Sequence, residues 1–272
     1  MPFEAYKIYD EYEPNKYKTS TQKKVAQALD IAKKENLVPE AKEVTIEFNE
    51  AQELLGKDFL GPEAVKATFG IELSPDELGR IENIPFTREE LEQAKQLGMM
   101  LVLRIPRIGK DKTAKPFSIN NVRGVFKAGD KLGNPTKKKT KIFYDQDWYN
   151  NESFATQVTP SLGWSLVMKE VLQESRSKNW DQQEEVLKSW AKQNNIDPAS
   201  VKRRTPVEII YDTLLYYGAN KESLLESSYD WSAVQSSGGS FVFVGRFDSD
   251  GLNVYSDTRD GTSSDLGVCP SR

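Results

Sequence analysis

The sequence predicts an α+β chain in two parts: a smaller mixed α/β region over residues 1–140, then a domain over 141–272 built on an irregular antiparallel sheet with helical segments. Three observations lead there. The end of the chain holds three strand-like runs, Phe241-Val242-Phe243-Val244, Leu252-Asn253-Val254-Tyr255 and Leu266-Gly267-Val268-Cys269, rich in β-branched and aromatic residues. Two well-signalled helices, Asp181 to Gln193 and Thr205 to Tyr217, precede them. Between residues 110 and 140 the hydrophobic periodicity fades into Lys, Gly, Pro and Asn, as at a domain boundary.

In the first part, Tyr6, Tyr9, Tyr12 and Tyr17 surround Pro14 in an arm expected to pack on something, since free tails seldom hold so many rings. Thr21 to Asn36 reads as a helix with Val25, Ala28, Leu29 and Ala32 on one face. Val44 to Phe48 alternates as a strand does. Gly61-Pro62-Glu63 starts a helix through Phe69 that Gly70 closes, because proline at the first helical position has no amide to waste. Ser74-Pro75-Asp76-Glu77 opens another turn. Thr87-Arg88-Glu89-Glu90 is a capping box for a helix to Leu97, with Gly98 just past its end. Met99 to Ile105 is a buried strand stopped by Pro106, and Ser118 to Phe126 a short helix.

In the second part, Ile142-Phe143-Tyr144 restarts regular structure, and Trp148, Tyr149 and Phe154 form an aromatic cluster assigned to the core. Leu162, Trp164, Leu166 and Met168 alternate, which predicts a strand with one buried face. The next helix turns Val186, Leu187 and Trp190 inward. Thr205-Pro206-Val207-Glu208 combines a capping box with proline at the first helical position. Its helix carries Val207, Ile210, Tyr211, Leu214 and Leu215 on one stripe and is expected to end before Gly218. Gly238-Gly239, Asp250-Gly251 and Asp260-Gly261 are turns.

Composition narrows the chemistry. There is no histidine and one cysteine, Cys269, which excludes Ser–His and Cys–His catalysis, intrachain disulfides, and zinc, iron or copper sites that depend on those ligands. Cys269 itself, lacking a base, reads as a small buried hydrophobe. Paired acids such as Glu89-Glu90 and Glu184-Glu185 sit on exposed helix faces, whereas hydrolytic carboxylates must converge across a cleft. No glycine-rich stretch leads into a helix as a phosphate loop does. From Lys221 onward eight carboxylates face Lys221, Arg246, Arg259 and Arg272, so this end is acidic. Lys131, Lys137, Lys138, Lys139 and Lys141 form a basic patch that reads as a solvated loop, and no nucleic-acid partner is expected. No apolar run is long enough to span a membrane, and the N-terminus lacks secretory-signal character. The expected location is therefore the cytoplasm, a non-classical export route or a virion.

Calcium is the one ion worth weighing. Asp248-Ser249-Asp250-Gly251-Leu252-Asn253 resembles part of an EF-hand loop, but Leu252, Asn253 and Arg259 occupy positions that need an oxygen ligand, a glycine and an acid. A hairpin turn on Asp250-Gly251 fits better, and no cofactor is expected.

The segments Tyr229-Asp230-Trp231, Val244-Gly245-Arg246-Phe247-Asp248-Ser249-Asp250-Gly251 and Leu266-Gly267-Val268-Cys269-Pro270-Ser271-Arg272 resemble the ending of C-type-lectin-like domains. The nearest branch is the one shared by formylglycine-generating enzymes and the variable proteins of diversity-generating retroelements, which close with Gly, a hydrophobic residue and a final Arg. The match covers at most the last 130 or so residues. Phe143 to Tyr149 and Trp164-Ser165-Leu166-Val167 also resemble segments of uncharacterised bacterial proteins of uncultivated lineages. The formylglycine-generating activity does not carry over, because it needs a cysteine pair. Sugar binding of the Glu-Pro-Asn type does not either, because that tripeptide is missing. What the resemblance implies is a rigid scaffold displaying variable side chains near the C-terminus.

The expected function is thus non-enzymatic ligand binding or display, with a protein or other macromolecule as partner. The expected binding face holds Tyr229, Trp231, Asp248, Asp250, Asn253, Tyr255, Asp257, Arg259 and Asp260, a mixture of rigid aromatic anchors and adaptable polar groups. Two alternatives stay open: a structural component of a phage or surface assembly, self-associating through its surface, and a carboxylate- or calcium-dependent hydrolase.

Overall fold

A computed structural model of the chain describes residues 46–109, 114–126 and 142–272. The tyrosine-rich arm, the helix of Thr21 to Asn36 and the basic patch lie outside the described residues. Thr45–Arg272 forms one compact unit with both helices and strands, an α+β protein.

The first helices follow their local signals. α1 (Phe48–Leu55) stands where a strand over Val44 to Phe48 was expected; Ile46 and Glu47 are irregular and Phe48 opens the helix. Apolar residues at Ile46 and Phe48 satisfy a strand alternation as readily as a helix entry. After the short β1 (Phe59–Leu60) come α2 (Pro62–Phe69) and α3 (Pro75–Ile81), then α4 (Arg88–Gln96). Ser74 and Thr87 form capping boxes with Glu77 and Glu90, and Gly70 and Gly98 take positive φ just past α2 and α4. β2 (Met99–Arg104) is buried along its whole length. A small β3 (Arg107–Ile108) and β4 (Lys115–Pro116) pair, and α5 (Ile119–Val125) follows, capped by Ser118.

After α6 (Ser153–Thr156), β5 (Gly163–Met168) pairs antiparallel with β2, so a sheet ordered β1-β2-β5 spans the boundary expected near residue 140. One hydrophobic cluster runs from Ile46 to Cys269, and the described residues do not divide there. Both faces of β5 are covered, so Ser165 and Val167 are buried along with Trp164 and Leu166, where one buried face was expected.

α7 (Trp180–Gln193) begins with a capping box on Asn179. α8 (Pro206–Asn220) begins with the expected box on Thr205 but runs through Gly218, where a β-carbon would meet the Thr68 side chain at 2.3 Å. It is buried on all sides from Pro206 to Tyr217, not along one stripe. The reason is its position: it packs against β1 and β2 on one side and against β6 (Tyr229–Gln235) and β7 (Phe241–Asp248) on the other. A helix so placed must be apolar all round. Each of its fully buried aliphatic side chains contributes roughly 1.5–3 kcal/mol.

The one acid in the middle of α8, Asp212, is fully buried and answered by arginines from both sides. Arg104 of β2 donates to both of its oxygens at 2.9 and 2.6 Å and reaches Glu208 at 2.8 Å. Arg204 donates to Asp212 and to Asp230 of β6, each at 2.8 Å, and the second oxygen of Asp230 accepts the Cys269 amide. Burial alone would drive these guanidiniums neutral, and the flanking carboxylates hold Arg104 and Arg204 charged.

The second sheet has the order β8-β7-β6-β9, with β8 (Gly251–Asp257) and β9 (Leu266–Gly267) at its edges. β9 lies parallel to β6, and the other pairings are antiparallel. Beyond β9 the chain crosses to the first sheet: Leu166 and Arg272 exchange backbone hydrogen bonds, as do Ser271 and Lys202. Residues 266–272 therefore join both sheets. Gly267 sits too close to Ser175 and Val171 for a side chain, with a β-carbon placed 2.7 Å from Ser175 Oγ.

Candidate binding face

The β8-β7-β6-β9 sheet turns one face to α8 and the other away. Side chains alternate along a strand, so register sorts them. Trp231, Phe243 and Tyr255 are neighbours across three strands, next to the row Tyr229, Gly245 and Asn253. Val242, Val244 and Val254, one step out of phase, enter the main core.

One end of the outer face is roofed. Trp180, at the start of α7, stacks on Phe241 with ring centres 4.7 Å apart and planes 27° from parallel. The guanidiniums of Arg203 and Arg259 lie 4.4 and 5.2 Å from the Trp180 ring centre, and Asp181 holds Arg259.

The other end is open. Tyr229, Phe243 and Tyr255 touch pairwise, with ring centres 5.1, 6.1 and 6.2 Å apart, and Trp231 meets Phe243 edge-on. Tyr229 and Trp231 are buried, Phe243 is half-buried and Tyr255 is 37% exposed. Burial pushes the Tyr229 hydroxyl up to about 12, and the Arg246 guanidinium beside it acts in the opposite direction. The platform is thus a wall of mutually braced rings on rigid strands, a surface that offers stacking and apolar contact.

The other expected residues are placed as follows. Asn253 is buried and donates to the carbonyls of Arg246 and Gly251, holding the hairpin together instead of facing a ligand. Asp248 and Asp250 sit at the β7–β8 turn, where Asp248 accepts the Asp250 amide at 2.9 Å. Asp257 accepts the Thr258 amide and is closely wrapped by Gly261. Arg259 lies over the roofed end and Asp260 is exposed. Tyr229 and Tyr255 therefore meet at the open end, whereas Trp231, expected on the binding face, is fully buried against Phe243 and offers nothing to a ligand, and the acids are spread over the turns. Among the described residues no three His, Cys, Asp or Glu side chains gather around one point.

The free edge of β8 is covered by the segment starting at Ile142. Leu252 donates to the Ile142 carbonyl and its own carbonyl accepts the Tyr144 amide. Further along, Gln146 Oε1 accepts the Val254 amide and Trp148 Nε1 donates to the Val254 carbonyl at 2.9 Å. Side chains thus take the place of a further strand where an unpaired edge would otherwise face solvent.

Phe243, Arg246 and Trp180 belong to the face and escaped the sequence reading. A signal existed for Phe243: in Phe241-Val242-Phe243-Val244 the two rings must share one face and the two valines the other. None existed for Arg246, which depends on a bulge. Compared with family models, curated proteins and solved structures, the chain matches none. Among the described residues no helix is long and apolar enough to cross a membrane.

Proposed function

We propose that the chain is a non-catalytic ligand-binding or display protein, and that it binds a macromolecular partner through the open end of the β8-β7-β6-β9 sheet. The observation that carries this reading is Tyr255: a large aromatic side chain left 37% exposed on a strand, continuous with the rings of Phe243 and Tyr229. Rigid aromatic anchors of this kind dominate binding energy at interfaces because they bring large contact area with little entropy to lose. A lectin-like scaffold of the type presented by retroelement-diversified proteins is part of this proposal. It rests on the sequence resemblance, and is supported by β7 and β9 sharing one sheet. The sole cysteine supports a non-catalytic role: burial and the neighbouring Asp230 push the Cys269 thiol well above its ordinary value, away from the reactive thiolate.

The test pairs stability with binding. Tyr255→Ala is expected to keep the melting midpoint within about 2 °C, as surface changes do, while losing the ligands that a display selection enriches on the wild-type chain. A selection that enriches nothing, or ligands that bind Tyr255→Ala equally well, rejects the reading.

A further inference from the structure

We propose that Arg246 sets the specificity of this face, and that the ligand is a polypeptide presenting one carboxylate beside an apolar side chain, within an otherwise basic surface. The inference rests on the binding role just proposed and names the partner's chemistry. Arg246 lies where the β7–β8 register shifts between Gly245 and Asp248, so that one extra residue is inserted in β7. Its φ is +46°, a conformation natural to Gly and disfavoured for other residues. Four other described non-Gly residues share positive φ, but they lie in loops or at helix ends; Arg246 alone stands within a strand. The shift also sends the next residue, Phe247, into the core against Tyr217. Glycine would serve that purpose with less strain, so the backbone does not explain an arginine.

The side chain does. Arg246 is exposed, directly after Gly245, the strand partner of Tyr229, and its guanidinium lies beside the Tyr229 hydroxyl. It makes no ion pair among the described residues, whereas Arg104, Arg204, Arg259 and Arg272 each hold a carboxylate. A guanidinium fork fixed at the edge of an aromatic platform is suited to a carboxylate attached to an apolar body.

Two observations choose the class of partner. The platform is an open sheet surface, and small molecules bind in concavities; two such clefts lie elsewhere, by Phe48 and Leu78 and along Val186 and Trp190. Acids dominate the surroundings of Arg246: Asp248 and Asp250 lie in the turn that follows it, and Asp265 acts on the Tyr229 hydroxyl that Arg246 approaches, while Asp257 sits opposite Phe241 at the roofed end. Such surroundings repel nucleic acid and other polyanions and favour lysines and arginines around the one carboxylate.

The experiment selects a random twelve-residue peptide library, displayed on phage, on the immobilised wild-type chain, and measures the enriched peptides against Arg246→Gln, Arg246→Lys and Tyr255→Ala, each checked for unchanged circular dichroism. Expected are peptides of net positive charge with one Asp or Glu beside an aromatic or aliphatic residue. They should lose at least tenfold in affinity on Arg246→Gln and less on Arg246→Lys. Peptides without an acid, polyanionic peptides, or equal binding to Arg246→Gln overturn the assignment of partner, while their loss on Tyr255→Ala leaves the binding face standing. Enrichment of nothing, or binding indifferent to Tyr255→Ala, overturns both.

Discussion

Arg204 and Asp230 meet at 2.8 Å across the seam between α8 and β6, both almost fully withdrawn from water. Asp230→Ala strips Arg204 of one of its two carboxylates and the Cys269 amide of its acceptor. A buried charge left short of its partner typically costs about 3–5 kcal/mol. Urea unfolding is expected to show a loss of that size. Lys57→Ala, which breaks only the exposed pair with Glu222, should cost far less.

Tyr149 is fully buried, and its hydroxyl has no hydrogen-bond partner among the described residues. Burial pushes it up to about 12. Since the folded value lies above the unfolded one near 10, the neutral phenol favours the fold below pH 10, and that contribution fades as pH rises toward 12. Tyr149→Phe removes an unmatched polar atom, so thermal melts should show little change or a gain at pH 7, and less alkaline destabilisation than in the wild type.

Glu77 caps α3 through Ser74 and pairs with Arg107 of β3 at 2.6 Å. Partial burial works to raise its value, but the hydrogen bonds from Arg107 and Ser74 outweigh it and hold Glu77 below the usual carboxylate range. The folded value being the lower one, its stabilisation is present above the unfolded pKa of about 4.3 and fades as pH falls through the folded value. Glu77→Gln should therefore melt lower than wild type at pH 7, with the two midpoints drawing together below about pH 4.

The side-chain cover on β8 should be readable by amide exchange. Gln146→Ala removes the acceptor of the Val254 amide, which is expected to exchange faster, while the Phe243 amide within the sheet keeps its protection. Trp148→Phe, which leaves the Val254 carbonyl without its donor, should cost about 1 kcal/mol.

Arg246→Gly should stabilise. Glycine relieves the left-handed strain at φ +46°, by roughly 1 kcal/mol, and the urea midpoint should rise. A drop would mean that the arginine side chain contributes more to the fold than its exposed position suggests.

What the sequence revealed was local. Capping boxes on Thr87 and Thr205, and glycines closing α2 and α4, set helix positions closely, because each cap is written in four adjacent residues. Ile46 and Phe48 misled because two apolar residues fit either period. α8 looked amphipathic because Asp212 breaks its apolar surface, and only the arginines arriving from β2 and from just before the helix make that acid tolerable inside. β6 went unseen, since Tyr229-Asp230-Trp231-Ser232 carries polar residues whose partners lie far along the chain. Of the candidate face, Tyr229 and Tyr255 were named from residue type, Trp231 is fully buried, and the bulge that positions Arg246 is a property of two strands in register.

The crossing of residues 266–272 from one sheet to the other has a consequence for biosynthesis. Leu166 and Lys202 must wait for partners made about seventy to a hundred residues later, so the backbone ties between the two sheets are complete only once Ser271 and Arg272 have been made. That seam is a long-range closure, and such closures slow folding. A chain cut before Ser271 keeps the bonds of Val268 and Pro270 to Leu172 and Met168 but loses the pairs of Lys202 and Leu166, so its seam is left partly open.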